Sequence, residues 1–143
     1  MKKIILTLIA VMIVCCGCGS EKNRDWAGSY KGTNVVDDTT DSIMLNISEN
    51  ASDLIVEVVI SESSGDSRNT VVNNKIVLPK ESYIGKDTMN FSVAPTSVYT
   101  EGLQNVRLYF ELRIKGNSMM IRYTSDETGL SDTAYIKLDT INE

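Results

Sequence analysis

The chain has 143 residues, with 14 lysines and arginines against 19 aspartates and glutamates, three cysteines, no histidine and a formal net charge of −5. That length supports one domain with a substantial core and is too short for two comfortable ones. The acidic balance argues against holding nucleic acid or anionic headgroups through a general electrostatic field, and the lack of histidine removes the usual general base and the commonest metal ligand.

The first element is a leader. Lys2 and Lys3 precede an apolar run from Ile4 to Val14 that only Thr7 interrupts. A positive flank followed by an apolar stretch of this length has the form of a secretory signal. It is too short to span a bilayer, which takes about 20 apolar residues. Cys15, Cys16 and Cys18 close the run and are the only cysteines in the chain. Cys15 and Cys18 form a C-x-x-C, but a tetrahedral metal site draws on about four ligands, usually from two such pairs, and neither a second pair nor a histidine exists. A disulfide framework fails for the same want of cysteines. Processing is the reading left.

The stretch "IVCCGCGSEKN" (13–23) resembles the lipobox of bacterial lipoproteins, in which a small residue precedes a cysteine that receives a diacylglyceryl thioether before cleavage on its amino side. The resemblance implies Cys18 as the lipidated residue, with Gly17 before it and the polar Gly19-Ser20-Glu21-Lys22 after it. Cys16 is the alternative, having Ile13 and Val14 in better hydrophobic positions but Cys15 at the cut. Residues 1–17 are then a signal peptide, 18–25 a lipidated N-terminus and tether, and 26–143 the domain. The three acyl chains that the resemblance implies, at about 0.8 kcal/mol per buried CH₂, would make attachment effectively permanent. Loss of residues 1–17 removes two of the 14 basic residues and none of the 19 acidic ones, for a net charge of −7. The resemblance implies a location in the cell envelope at the outer membrane. No aspartate follows Cys18, the retention signal of enterobacterial lipoproteins, and Glu21 stands alone where surface-exported lipoproteins of Bacteroides-type bacteria carry an acidic run, so the resemblance points to the periplasmic side.

From Trp26 onward the pattern has period 2, the signature of strands with one buried face. Expected strands cover 28–36, 42–48, 53–61, 68–72 with 75–78, 88–93, 105–115, 118–124 and 133–139. Asn73-Asn74 is expected to turn between the fourth pair of runs, and Pro79 to end the second of them because it has no N–H for a continuing ladder. The strongest local signal is "NVRLYFELRIKGNSMMIRYTS" (105–125). Val106, Leu108, Phe110, Leu112 and Ile114 share one face, and Gly116-Asn117 suits a two-residue hairpin loop. Lys115 then faces Ser118, which sets Leu112 beside Ile121, Phe110 beside Tyr123 and Glu111 beside Arg122, each pair favourable on its own face. So many strands joined by short polar loops must close on themselves or fold over to hide an apolar face and protect the edges. The fold class is therefore all-β, a barrel or a β-sandwich.

"DWAGSYKGT" (25–33) resembles the opening of calycin and lipocalin-like domains carried by lipoproteins of Bacteroides-type bacteria, where a Gly-x-Trp-like element enters strand one and its ring packs across the closed end of a barrel. Gly28 and Tyr30 match that element, with tyrosine in place of tryptophan; Trp26 stands two residues too early. The resemblance implies an eight-stranded antiparallel up-and-down barrel, Lys137 as the late basic partner of the motif, and a mid-barrel hairpin at "VVNNKIVLPKESY" (71–83).

The inward-facing candidates are Leu108, Phe110, Leu112, Met119, Ile121, Tyr123, Ile136 and Leu138. In a barrel of eight strands they either fill the interior or line a site for one small ligand. The expected role is binding of a small apolar or amphipathic molecule, with a filled barrel that docks an envelope protein as the alternative and an enzyme third. Met120, Tyr109, Tyr135 and Lys137 are the outer residues to examine for a docking patch towards an envelope protein. The loops "DDTTD" (37–41), "SESSGDS" (61–67) and "SDETGLSD" (125–132) carry oxygen ligands that calcium could use, without EF-hand spacing, and the same residues are ordinary in solvated turns. No G-x-S-x-G elbow appears and a lipidated cysteine is no nucleophile, so an enzyme is not expected, nor is any cofactor.

Overall fold

A computed structural model describes residues 25–94, 107–126, 130 and 133–141. The alternating segments become eight strands: β1 (Gly28–Val36), β2 (Thr39–Glu49), β3 (Asp53–Ser64), β4 (Ser67–Pro79), β5 (Thr88–Val93), β6 (Leu108–Lys115), β7 (Ser118–Ser125) and β8 (Ile136–Thr140), with a single 3₁₀ turn at Lys80–Ser82. All are antiparallel, in the sheet order β4-β3-β2-β1-β8-β7-β6-β5. Except at the β4–β5 step, each strand therefore lies beside its sequence neighbours, and β1 also pairs with β8 through Tyr30–Thr140 and Lys31–Asp139. That last ladder curls the meander into a nearly closed up-and-down barrel and rules out two separate layers. β4 and β5 are the two edges of the sheet and do not pair with each other.

The turns follow local chemistry. Gly116 has φ +63° in the β6–β7 loop and Gly65 has φ +57° in the β3–β4 loop, positive values that a hairpin of this tightness requires and that glycine adopts without a Cβ penalty. In the β2–β3 turn the Asn50 side-chain oxygen accepts the backbone N–H groups of Ser52 and Asp53 at 2.9 and 2.8 Å. The β6–β7 register is the one read from sequence, with Lys115 opposite Ser118, Leu112 opposite Ile121, Phe110 opposite Tyr123 and Glu111 opposite Arg122.

Asn73-Asn74 is not a turn. β4 runs straight through it, Asn73 opposite Val59 and Asn74 opposite Val58, and the chain reverses earlier, at Gly65-Asp66. A hairpin at the asparagines would pair two short runs with each other, whereas the 12-residue β3 offers both runs a continuous partner. The longer ladder wins, and it absorbs its mismatch as a bulge that skips Val71. For the same reason 71–83 is no mid-barrel hairpin; it is the second half of β4 followed by the 3₁₀ turn. The last strand begins at Ile136 rather than 133, because the Thr133 backbone N–H and hydroxyl both turn back to the Leu130 carbonyl, at 3.3 and 2.9 Å.

Inside the barrel, Ile43, Leu45 and Ile47 of β2 face Leu54, Val56, Val58 and Ile60 of β3, and β5 contributes Met89, Phe91 and Val93; all are buried. Removal of a Leu, Ile, Val or Phe side chain from water contributes about 1.5–3 kcal/mol. β1 contributes least to this oily wall. Its Gly32 sits where a Cβ would lie 2.5 Å from Leu138 Cδ2, so the side chain of β8 fills the space that β1 leaves. Among the described residues no helix is long and apolar enough to cross a membrane.

Candidate functional site

All eight residues read as interior do face the core. Phe110, Leu112 and Ile121 are fully buried and Met119 and Leu138 nearly so, while Leu108, Tyr123 and Ile136 are partly buried and packed against them. The register lines up Phe91, Phe110 and Tyr123 across β5, β6 and β7. Their rings stack, with centroids 5.1 Å apart for the first pair and 5.6 Å for the second. Phe91, absent from the sequence-derived set, completes that stack; it was legible only as a member of an alternating run.

At the end of the stack the Tyr123 hydroxyl donates to Asp41 Oδ2 at 2.5 Å. Asp41 lies on β2, separated from β7 by β1 and β8, so the bond crosses the barrel interior. The register places Asn34 and Glu62 on either side of Asp41. Burial pushes the Tyr123 phenol well above its ordinary pKa, and the bond to Asp41, that carboxylate's charge and the charge of Glu62 push the same way, with a bond to Asn34 opposing them. The phenol stays protonated and serves as a donor. No sequence spacing marks this pair, which only barrel closure brings together.

The other end of the barrel is covered by Trp26, 3% exposed, whose indole N–H donates to the Tyr83 carbonyl at 3.4 Å. The Tyr30 hydroxyl donates to the Ala27 carbonyl at 3.3 Å, with the Trp26 carbonyl at 3.4 Å, and its ring lies so close over Gly28 that a Cβ there would meet the phenol oxygen at 2.8 Å. Burial, then the charge of Asp25, raises the Tyr30 pKa. Gly28 and Tyr30 thus form a local brace, and the buried ring of this end is Trp26, the residue set aside as two positions early. Lys137 does not reach it. The Lys137 side chain is 67% exposed on the outer wall, 3.9 Å from Asp139. The cation near Trp26 is Lys80, paired with Glu49 at 2.8 Å. Trp26, Leu54, Lys80, Tyr83 and Ile84 border a surface cleft of about 260 Å³.

On the outer wall the expected cluster of Met120, Tyr109, Tyr135 and Lys137 does not form one patch. Met120 is half-buried between Arg113 and Lys137. Tyr109 is exposed, level with Ser92 and Thr124, and so two rows away. Tyr135 is occupied elsewhere: the guanidinium groups of Arg113 and Arg122 lie 4.9 and 4.7 Å from its ring centroid, and its hydroxyl donates to Glu111. Arg113 reaches the same Glu111 oxygen at 2.9 Å, and Arg122 the other oxygen at 2.6 Å. Glu111 is buried on the outside of the barrel under this roof. Burial alone would raise its pKa; hydrogen bonds from Tyr135 and Arg122, with the charges of Arg122 and Arg113, outweigh that and hold it below the ordinary carboxylate value.

Asp37-Asp38 and Gly65-Asp66 form plain β-turns, and among the described residues no three His, Cys, Asp or Glu side chains converge as a metal would require. Most of the 125–132 loop and both lipidation candidates, Cys18 and Cys16, lie outside the described residues. Comparison with protein-family models, with curated proteins and with solved structures finds no match.

Proposed function

We propose that this is a cell-envelope lipoprotein, anchored in the outer membrane through a lipid on Cys18, with Cys16 as the alternative, and that its calycin-like barrel is a solid scaffold which docks an envelope protein through its outer face and loops. The observation that carries this reading is the interior itself. The Phe91–Phe110–Tyr123 stack and the Tyr123–Asp41 bond span the space a ligand would need, and Leu138 fills the hollow above Gly32. A ligand would have to displace a buried hydrogen bond and a packed aromatic row before gaining any contact of its own.

A second reading keeps the barrel as a binding site for a small apolar or amphipathic molecule. It draws support from the polar row Asn34–Asp41–Glu62 at the end of an otherwise apolar wall, a pairing that an amphipathic ligand would match. Neither reading calls for a catalytic step or a cofactor.

Extraction of the native protein in mild detergent after chemical cross-linking separates the two. The scaffold reading expects one envelope protein cross-linked in stoichiometric amount and no small molecule retained. A single amphipathic compound recovered at one per chain, with no protein partner, replaces it with the ligand reading. Mass spectrometry of the mature N-terminus checks Cys18 in the same sample.

A further inference from the structure

The described chain begins at Asp25, exposed and immediately before the buried Trp26, at the end of the barrel that Trp26 covers. Asp25 stands seven positions after Cys18. Fully extended, that length reaches at most about 25 Å. The 12-residue β3 measures about 40 Å along its axis, and a tilt of about 35–45° leaves a wall roughly 30 Å high. A tether drawn along the wall therefore falls short of the far rim.

The surface at the Trp26 end suits a lipid interface. The connection from β4 to β5 is held in place by backbone bonds from Lys80 to Ser52 and from Ile114 to Asp87, both 2.8 Å. It presents Ile84, 57% exposed, next to Tyr83, whose ring has the Lys86 ammonium 6.0 Å from its centroid. Ile84 is an aliphatic tip that suits the level of lipid headgroups, with the apolar stem of Lys86 beside it and its ammonium in water; Glu81 and Asp87 stay at the wet edge of the same connection, and the Tyr83 hydroxyl donates to the Asn90 carbonyl at 3.2 Å. Both ends carry exposed carboxylates, Asp25, Glu49, Glu81 and Asp87 at the Trp26 end and Asp37, Asp38, Glu62 and Asp66 at the opposite, acidic rim, so the orientation is set by the tether's reach and by Ile84 rather than by charge.

We propose that the Trp26 end of the barrel, through Ile84 and Tyr83, rests on the lipid surface that holds the anchor, and that the acidic rim points away from it. This rests on the lipoprotein reading above. The anchor supplies residence on the membrane; Ile84 and Tyr83 supply orientation. Any protein partner then meets the acidic rim or the outer wall, not the Trp26 end.

The test uses the full lipidated protein in vesicles of phosphatidylethanolamine and phosphatidylglycerol, with one polarity-sensitive fluorophore on Ile84→Cys or, in a second sample, on Asp66→Cys. Both positions are exposed turns, and emission from the chain's single tryptophan, Trp26, reports that the neighbouring end is intact. Flotation comes first: protein that does not rise with the vesicles overturns the anchored reading and the orientation with it. For protein that floats, the expected result is quenching by brominated lipid at least several-fold stronger at position 84 than at 66. Equal quenching at the two sites, stronger quenching at 66, or none at 84 overturns the orientation and leaves the anchor standing.

Discussion

Tyr123 and Tyr135 make the same chemical contact on opposite faces of one sheet, each phenol donating to a carboxylate, and the two contacts do different work. Inside, Tyr123 reaches Asp41 across two intervening strands as the end of an aromatic stack. Outside, Tyr135 lies across Arg113 and Arg122 and seals Glu111 beneath it, fastening the approach to β8 onto β6 and β7. The inner pair gains from packing with a hydrogen bond added; the outer pair is held mainly by charge. A hydrogen bond alone does not determine what a residue contributes. The neighbours on the ring's two faces do.

The largest expected difference comes from truncating each ring. Tyr123→Ala opens a cavity in the barrel and is expected to cost about 3–5 kcal/mol in denaturant unfolding, as buried aromatic truncations do. Tyr135→Ala gives up a solvent-accessible stack over two guanidinium groups and is expected to cost about 1 kcal/mol after screening. Equal losses would mean that the outer clip carries as much packing as the core.

Removing only the hydroxyls narrows the contrast. Tyr123→Phe leaves Asp41 without its interior donor and is expected to lose about 1–3 kcal/mol. Tyr135→Phe leaves Glu111 with both arginines, so a loss below about 1 kcal/mol is expected in the same unfolding measurement. A larger loss at 135 than at 123 would reverse the assignment of roles.

The smallest effects are in pH. Glu111 has a folded pKa below its ordinary 4.5, so its contribution is complete above that value and is lost as pH falls through the lower folded pKa. Wild type and Glu111→Gln should therefore diverge in melting temperature at neutral pH and converge as pH drops below about 4.5. Tyr123 is shifted upward, so its contribution is present below its ordinary 10.0 and declines as pH rises beyond it. Tyr123→Phe should flatten the alkaline side of the profile and leave the acid side unchanged. An acid-side change in that variant would show that the inner pair, too, is governed by its carboxylate.

Much of the wall was legible in the chain. β1, β5 and the β6–β7 hairpin come out of alternation and turn chemistry, because the residues that decide them are neighbours along one or two strands. The eight interior candidates follow from the same alternation and are all inward. Asn73-Asn74 misleads because turn propensity is a local preference of well under the energy of a long ladder, and β3 is long enough to override it. Trp26 misleads in another way: its distance from Gly28 is wrong for the motif it was compared with, yet the barrel end needed a large ring and Tyr30 had already turned to brace Gly28.

By itself the sequence determined most of the strands, their inward faces and the register of its best hairpin, all of which depend on a two-residue period and on which residues accept a positive φ; it broke β4 at Asn73-Asn74 and began β8 too early. Only the tertiary structure decided that β1 closes on β8, that Tyr123 meets Asp41, that Trp26 covers one end and that Glu111 is buried under Tyr135. Tyr123 and Asp41 lie 82 positions apart in the chain, and the strands that close the barrel, paired through Tyr30 and Thr140, lie farther apart still. Curvature of the whole sheet brings them within a few ångströms, and no local pattern records curvature.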